Sequence, residues 1–314
     1  MTMEQENHTR VTEFILMGLS SNPKTQIVLF GLFLIIYSIT LIGNTLIILL
    51  SSVDHRLHTP MYFFIGNLSF MDIWFTSSVV PKMLANFLTE RKQISFGGCM
   101  AQLCIHLSLG GTECYLLLSM AYDRYVAICK PLHYATIMSK SMCIKMAACS
   151  WIGGTLNSLI HTIFALQLTY CGPNEIDHFF CEVPAVLGTA CTDASMNRTI
   201  IFICAIVVVM MPFLLILITY ARILATILKI RSAEGRQKAF STCASHITVV
   251  SLFYGTIIFM YMRPGSSQLL HQDKMATLFY SVLTPMLNPM IYSLRNKDVK
   301  GALLKITCRN IEVQ

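Results

Sequence analysis

Two carboxylates, Asp72 and Glu113, stand inside long apolar stretches that contain no lysine or arginine. An acid within a membrane is expensive to ionise and marks a functional site by default. It must be protonated, hydrogen-bonded or bound to a cation. Asn44 and Asn288, in two other apolar stretches, offer amide partners. A second feature is the adjacent acid and base Asp123-Arg124. They follow the segment Ser95–Tyr122, 28 residues with one formal charge, Glu113. Glu113 precedes Asp123 by about 15 Å along a helix, and Asp72 follows Pro60 by about 18 Å. Both acids therefore lie near mid-depth of any membrane the chain crosses.

The elements that position these groups follow from composition. The 314 residues are 54% hydrophobic and 12% charged, against about 25% charged in soluble domains. A bilayer core takes about 20 apolar residues per helix. Seven such runs occur: Ile27–Leu50, Met61–Val80, Cys99–Tyr122, Met146–Leu168, Ile200–Ala221, Ala239–Met262 and Met275–Leu294. The expected fold is an all-α membrane protein, a seven-helix bundle. Residues 1–26 form an extracellular N-terminus, 27–294 the membrane domain and 295–314 a cytoplasmic tail. Leu294–Lys305 is basic and amphipathic, which predicts a short interfacial helix. No cleavable signal peptide is evident at the polar N-terminus, so the first span serves as the targeting signal.

Lysine and arginine in short loops set orientation. Fifteen lie on the C-terminal side and eight on the other. The C-terminus is thus expected in the cytoplasm and the N-terminus outside, in a multi-pass plasma-membrane protein. The net charge of +7 requires no nucleic acid; the basic excess faces anionic lipid and cytosolic partners. Asn7-His8-Thr9 is a glycosylation sequon on the expected outer side. Four of the 12 cysteines, Cys99, Cys171, Cys181 and Cys191, also fall there. An even set in an oxidising compartment predicts two bridges, with three connectivities open. Three of the four lie in the long connection between spans four and five. A connection of that length is usually functional or pinned.

The stretches EFILMGL (Glu13–Leu19), Gly43-Asn44, LHTPMYFF (Leu57–Phe64), LSFMD (Leu68–Asp72), MAYDRYVAICKPLHY (Met120–Tyr134), KAFSTCASH (Lys238–His246) and PMLNPMIYSLRN (Pro285–Asn296) carry a resemblance. The chain resembles an olfactory receptor of the tetrapod type, within the rhodopsin-like G-protein-coupled receptors, over roughly residues 10–305. The resemblance implies bridges Cys99–Cys181 and Cys171–Cys191. It also implies an odorant bound from outside, a heterotrimeric stimulatory G protein and cAMP as output, with no catalytic residues and no cofactor beyond a possible sodium ion at Asp72 and Glu113.

Within that resemblance, Asp123-Arg124-Tyr125 reads as a switch. Asp123 holds Arg124 while the cytoplasmic face is closed; in the open state the guanidinium meets backbone carbonyls of the G protein. Without the resemblance the charges would be interfacial only. Asn288-Pro289 and Tyr292 end the seventh span, and the resemblance implies that Tyr292 swings inward on activation to meet Tyr220. Phe253-Tyr254-Gly255 stands where many related receptors carry Trp and Pro, which removes any borrowed toggle. Tyr254 is expected beneath the ligand. His246 reads as a hydrogen-bonded packing residue. The expected ligand positions are His106, Leu107, Gly110, Gly111, Cys204, Val208, Tyr254, Ile257, Ile258, Tyr261, Leu278 and Ser281. Their chemistry is apolar with a few neutral polar groups, suited to a small neutral volatile. No acid lies in the outer half of the third span, which argues against an aminergic ligand. Arg263 and Lys274 read as solvated loop charges.

Competing classes are weaker. A seven-span transporter would show repeats and a pathway of charges; no repeat between halves is seen, and only two acids are buried. A membrane enzyme would show a constellation such as HExxH, and the nine histidines are scattered. A non-olfactory receptor for a small lipid or metabolite is the nearer alternative; KAFSTCASH and the missing tryptophan weigh against it.

Overall fold

Helix starts are written into the chain as cap residues. Asn22 accepts from the Lys24 and Thr25 amides, Thr59 from Tyr62, Ser95 from Gly98 and Ser139 from Met142. Each satisfies amides that the first turn leaves open. Pro23 and Pro60 occupy first-turn positions where a missing N–H does no harm. From these starts run α1 (Pro23–Val53), α2 (Pro60–Leu88), α3 (Phe96–Cys129) and α4 (Lys140–Leu166). Then follow α5 (Ser195–Leu228), α6 (Ala233–Tyr261) and α7 (residues 271–294). The computed structural model describes residues 11–171, 174–261, 271–294, 299 and 301. The expected sequon at Asn7 and the interfacial helix after Leu294 lie outside the described residues.

Each helix overlaps one expected span and runs a turn or more past at least one of its ends. Hydropathy marks only the part immersed in lipid, whereas capped helices continue into the interface. Five of the seven are long and apolar enough to cross a membrane. α4 is not among them: its buried stripe is Cys143, Ala147, Ser150, Gly154, Ser158, His161 and Ala165. Helical spacing thus puts polar residues on the inward face. Large apolar side chains cover the outside instead, among them Ile35, Ile42, Ile152, Leu156 and Phe202. This is the reverse of a soluble protein and fits a lipid surround.

Two helices widen near a proline. α5 has a π-helical stretch at Ala205–Met210 just before Pro212, and α7 one at Phe279–Leu283 before Pro285. Proline donates no hydrogen bond and crowds the preceding turn, and a wider turn accommodates both effects. α3 is the central strut, packed against α2, α4, α5 and α6.

The outer end is closed by a three-stranded sheet. β1 (Glu13–Leu16) lies between β2 (Gln93–Ser95), antiparallel, and β3 (Glu175–Ile176), parallel. Phe14 and Leu16 are fully buried. EFIL is therefore an inner strand of the cap rather than part of a loose polar leader. Composition conceals this because the strand is four residues long.

Candidate functional site

The long connection is pinned across the outer mouth of the bundle. Cys99, in the first turn of α3, is bonded to Cys181, and Cys171 to Cys191, with Cα separations of 5.4 and 5.8 Å. Gln102 strengthens the first tie: its Oε1 accepts from the Cys181 amide at 2.9 Å while its Nε2 donates to the Ser78 carbonyl at 2.7 Å. His178, in the same connection, is fully buried between Phe179 and Phe180. It sits 3.3 Å from Glu182 Oε2. Burial, helped by the positive charge of Lys274, still pushes its pKa down to about 3, so the ring is neutral at physiological pH. Lys274 is not a solvated loop charge: it begins α7 and pairs with Asp177.

Beneath this lid lies a cavity of about 420 Å³. Eight expected positions line it: His106, Leu107, Gly110, Gly111, Cys204, Val208, Ile257 and Ile258. Three others do not. Tyr254 is fully buried below the floor, stacked on Phe213, with its hydroxyl 3.3 Å from the Cys114 carbonyl. Leu278 packs with Phe33, Val79 and Phe179, away from the cavity. Ser281 is buried and donates back to the Thr277 carbonyl at 2.7 Å. The side chain of Tyr261 lies outside the described residues. Positions that spacing arguments missed are Asn157 and His161 of α4, Val183 and Pro184 of the lid, and Tyr280. Polar residues recurring on one face of the fourth span were a readable signal for the first two.

The walls are set by close packing. A Cβ on Gly154 would come 2.5 Å from the Ser108 carbonyl oxygen and the Thr112 nitrogen, and a Cβ on Gly111 would come 3.1 Å from Gly154 Cα. Only bare glycines let α3 and α4 approach so closely. His106 closes the α7 side: it stacks on Phe75 at 4.5 Å and lies tilted against Phe180 at 4.5 Å, and one ring nitrogen bonds the Tyr280 hydroxyl at 2.8 Å.

At mid-depth the two acids meet a polar cluster. Asn288 Nδ2 donates to Asp72 Oδ2 at 3.0 Å. Asn44 Nδ2 donates to the carbonyls of Thr40 and Pro285 at 2.9 and 3.0 Å. Pro289 has no N–H for the Pro285 carbonyl four residues back, and Asn44 supplies the missing donor. A Cβ on Gly43 would stand 3.0 Å from the Pro289 ring, so Gly43-Asn44 and Asn288-Pro289 fit as one contact. Asp72 Oδ1, Glu113 Oε1, Asn44 Oδ1 and Asn288 Oδ1 are all buried without a hydrogen-bond partner.

At the inner end, Asp123 is fully buried. Tyr134 donates to its Oδ1 at 2.7 Å, while Arg124 Nε stands 3.9 Å from Oδ2. Tyr125 packs beside Ile223, Ile227 and Cys243. Tyr220 does not bond Tyr292; its hydroxyl is 2.6 Å from His246 Nδ1, whose other nitrogen is 3.1 Å from the Leu117 carbonyl. Tyr292 is buried and its hydroxyl has no hydrogen-bond partner among the described residues. Arg124, His246 and Tyr292 border an inner cleft of about 600 Å³.

Comparison with known proteins places this arrangement in context. A family model described as "Olfactory receptor" matches residues 33–310. Olfactory receptor 5AR1 of Mus musculus is 50% identical over 304 residues, covering 97% of this chain and 98% of the relative. Olfactory receptor 13C9 of Homo sapiens is 52% identical over 307 residues, covering 96% of each. Olfactory receptor-like protein OLF3 of Canis lupus familiaris is 54% identical over 300 residues, covering 96% and 95%.

Proposed function

The chain belongs to the olfactory receptor family, and from that premise we propose that it binds a small, mostly neutral volatile in the outer cavity and activates a stimulatory G protein to raise cAMP. The observation that carries the reading is that one rigid helix spans both ends. α3 lines the outer cavity with His106, Gly110 and Cys114 and carries Asp123-Arg124 at the inner cleft. A ligand that favours one packing of α3 against α5 and α6 would shift the inner end with it. The cavity is largely apolar and large enough for a molecule of ten to fifteen heavy atoms by the general scale of ligand sites.

In this reading Asp123 restrains Arg124, and release lets the guanidinium contact the G protein. Tyr125, Tyr220, Asn288, Pro289 and Tyr292 belong to the same switch. The inner cleft beside Arg124 and Lys238 supports a macromolecular partner there.

Sodium fits the mid-depth cluster. Four buried oxygens without partners, on Asn44, Asp72, Glu113 and Asn288, are the hard ligands that a small cation takes. A bound sodium would balance the charge of one of the two acids, the other remaining protonated, and would tie α1, α2, α3 and α7 together in one state.

The test is a cell-based cAMP screen across odorant classes, with surface delivery measured in parallel. Agonists that raise cAMP only in cells with an intact stimulatory G protein support the reading. Surface-expressed receptor that responds through another G protein class, or only to peptides, overturns it.

A further inference from the structure

We propose that the ligand is a hydroxyl compound, an alcohol or phenol, whose O–H is read by Asn157 and His161 of α4. The inference rests on the odorant-cavity reading above and narrows its ligand class.

The argument is an account of polar groups around the cavity. Glu182 Oε2 faces His178 Nε2 at 3.3 Å, and one His106 nitrogen bonds the Tyr280 hydroxyl. On α4, Ser150 donates to the Met146 carbonyl, Ser158 to the Cys104 carbonyl and Thr162 to the Ser158 carbonyl, while Thr155 bonds Ser108. Asn157 and His161 have no hydrogen bond among the described residues, and both line the cavity. They stand four apart on one helix, so their side chains are neighbours. The glycine contact described above holds this face of α4 against α3; Asn157 Nδ2 would lie 3.7 Å from a Cβ on Gly111.

The decisive atom is Asn157 Oδ1, which is buried and has no partner. A carbonyl oxygen only accepts. A buried acceptor left unsatisfied is unfavourable, and the penalty is relieved only by a donor. The remaining ring nitrogen of His106 is also unpaired, but a neutral imidazole nitrogen can be donor or acceptor by tautomer and so selects no class. An alcohol O–H donates to Oδ1 and its oxygen accepts from Asn157 Nδ2 or from His161. A ketone, ester or ether of the same skeleton offers no donor and leaves Oδ1 dry. Free water could fill the role in the empty receptor; the ligand must then replace its bonds or lose affinity. The rest of the wall, from Leu107, Val208, Ile257 and Ile258, takes the hydrocarbon.

The experiment uses matched sets: 1-decanol, citronellol and 4-ethylphenol, each with its methyl ether, and the two alcohols also with their aldehydes. Full-length receptor is read two ways, by cAMP dose–response in cells with surface amount measured, and by thermal shift of purified receptor. At least one alcohol should act, and its ether or aldehyde should be about tenfold weaker, the loss of one hydrogen bond. Asn157→Leu should abolish the difference within the pair, with surface delivery and the melting temperature of the ligand-free variant showing that it is folded. His161→Phe should narrow the same gap. An alcohol that raises the melting temperature without raising cAMP supports the hydroxyl inference and overturns the coupling proposal instead. Ethers or aldehydes equal to their alcohols, a gap that survives in both variants, or alcohols silent in both assays overturns the hydroxyl inference. Carbonyl compounds acting alone would do so while leaving the odorant reading intact.

Discussion

The Tyr134 hydroxyl holds Asp123 by a 2.7 Å hydrogen bond, while Arg124 stands 3.9 Å from the same carboxylate. The nearest restraint on Asp123 is therefore not the adjacent arginine but a tyrosine eleven residues on, in the short helix Tyr134–Ile137. A charge-assisted bond of this kind is worth about 1–2 kcal/mol when partly shielded from water.

The Tyr134 contact predicts that Tyr134→Phe raises basal cAMP by roughly five- to thirtyfold before saturation, since 1.4 kcal/mol is about tenfold in population. Asp123→Asn should act in the same direction, and the double variant should add little to either single one. Arg124→Ala should instead remove agonist-driven cAMP. The measurement is basal and stimulated cAMP normalised to surface receptor. Unchanged signalling in all three variants would reduce these residues to interfacial anchors.

The mid-depth cluster predicts a sodium effect. Replacing sodium by a large organic cation at equal ionic strength should lower the melting temperature of the ligand-free receptor, and Glu113→Gln should eliminate that response. Wild-type curves that superimpose in the two salts would refute a shared cation at Asp72 and Glu113.

The lid predicts dependence on its bridge. Breaking Cys99–Cys181 should cost about 2–5 kcal/mol and so reduce surface delivery in Cys181→Ala. Non-reduced peptide mapping should recover Cys99 with Cys181 and Cys171 with Cys191; any exchange of partners contradicts the arrangement.

Buried His178 predicts a pH dependence. Its folded pKa of about 3 lies below the ordinary value of about 6.5. The unfolded lid therefore binds a proton that the folded lid refuses. The stabilisation is complete above pH of about 6.5 and is lost as pH falls toward the folded value, at up to about 1.4 kcal/mol per pH unit. Thermal melts between pH 7.5 and 5.5 should slope downward for the wild type and less steeply in His178→Asn. An equal slope in the variant would assign the effect elsewhere.

Helix packing predicts unequal glycines. Gly154→Ala places a methyl against α3 backbone and should destabilise by about 1–3 kcal/mol, the usual range for overpacking. Gly255→Ala meets nothing within 4 Å and should be neutral or slightly stabilising through helix propensity. Comparing the two melting temperatures decides it; equal shifts would deny the close α3–α4 contact.

Seven helical runs and their order were legible in the sequence because lipid imposes a local rule: about 20 apolar residues must run together. The two buried acids were conspicuous for the same reason: a charge inside an apolar run stands out in one dimension. Contacts between helices were not legible, since they depend on how each helix is rotated and how closely it approaches its neighbour. Gly154 and Gly255 look alike in sequence, yet one is a packing surface and the other faces open space. The family resemblance implied that Leu278 and Ser281 face the ligand, but the α7 described here, with its π-helical turn at Phe279–Leu283, carries neither to the cavity. Tyr134, Asn157 and His161 gained their roles only when short-range packing brought them to Asp123 and to the cavity. The strand Glu13–Leu16 likewise became part of the lid only through partners some 80 and 160 residues away. Hydropathy reads a solvent that acts on each residue separately; side-chain pairing and steric fit are pairwise, and the folded bundle alone decides which pairs exist.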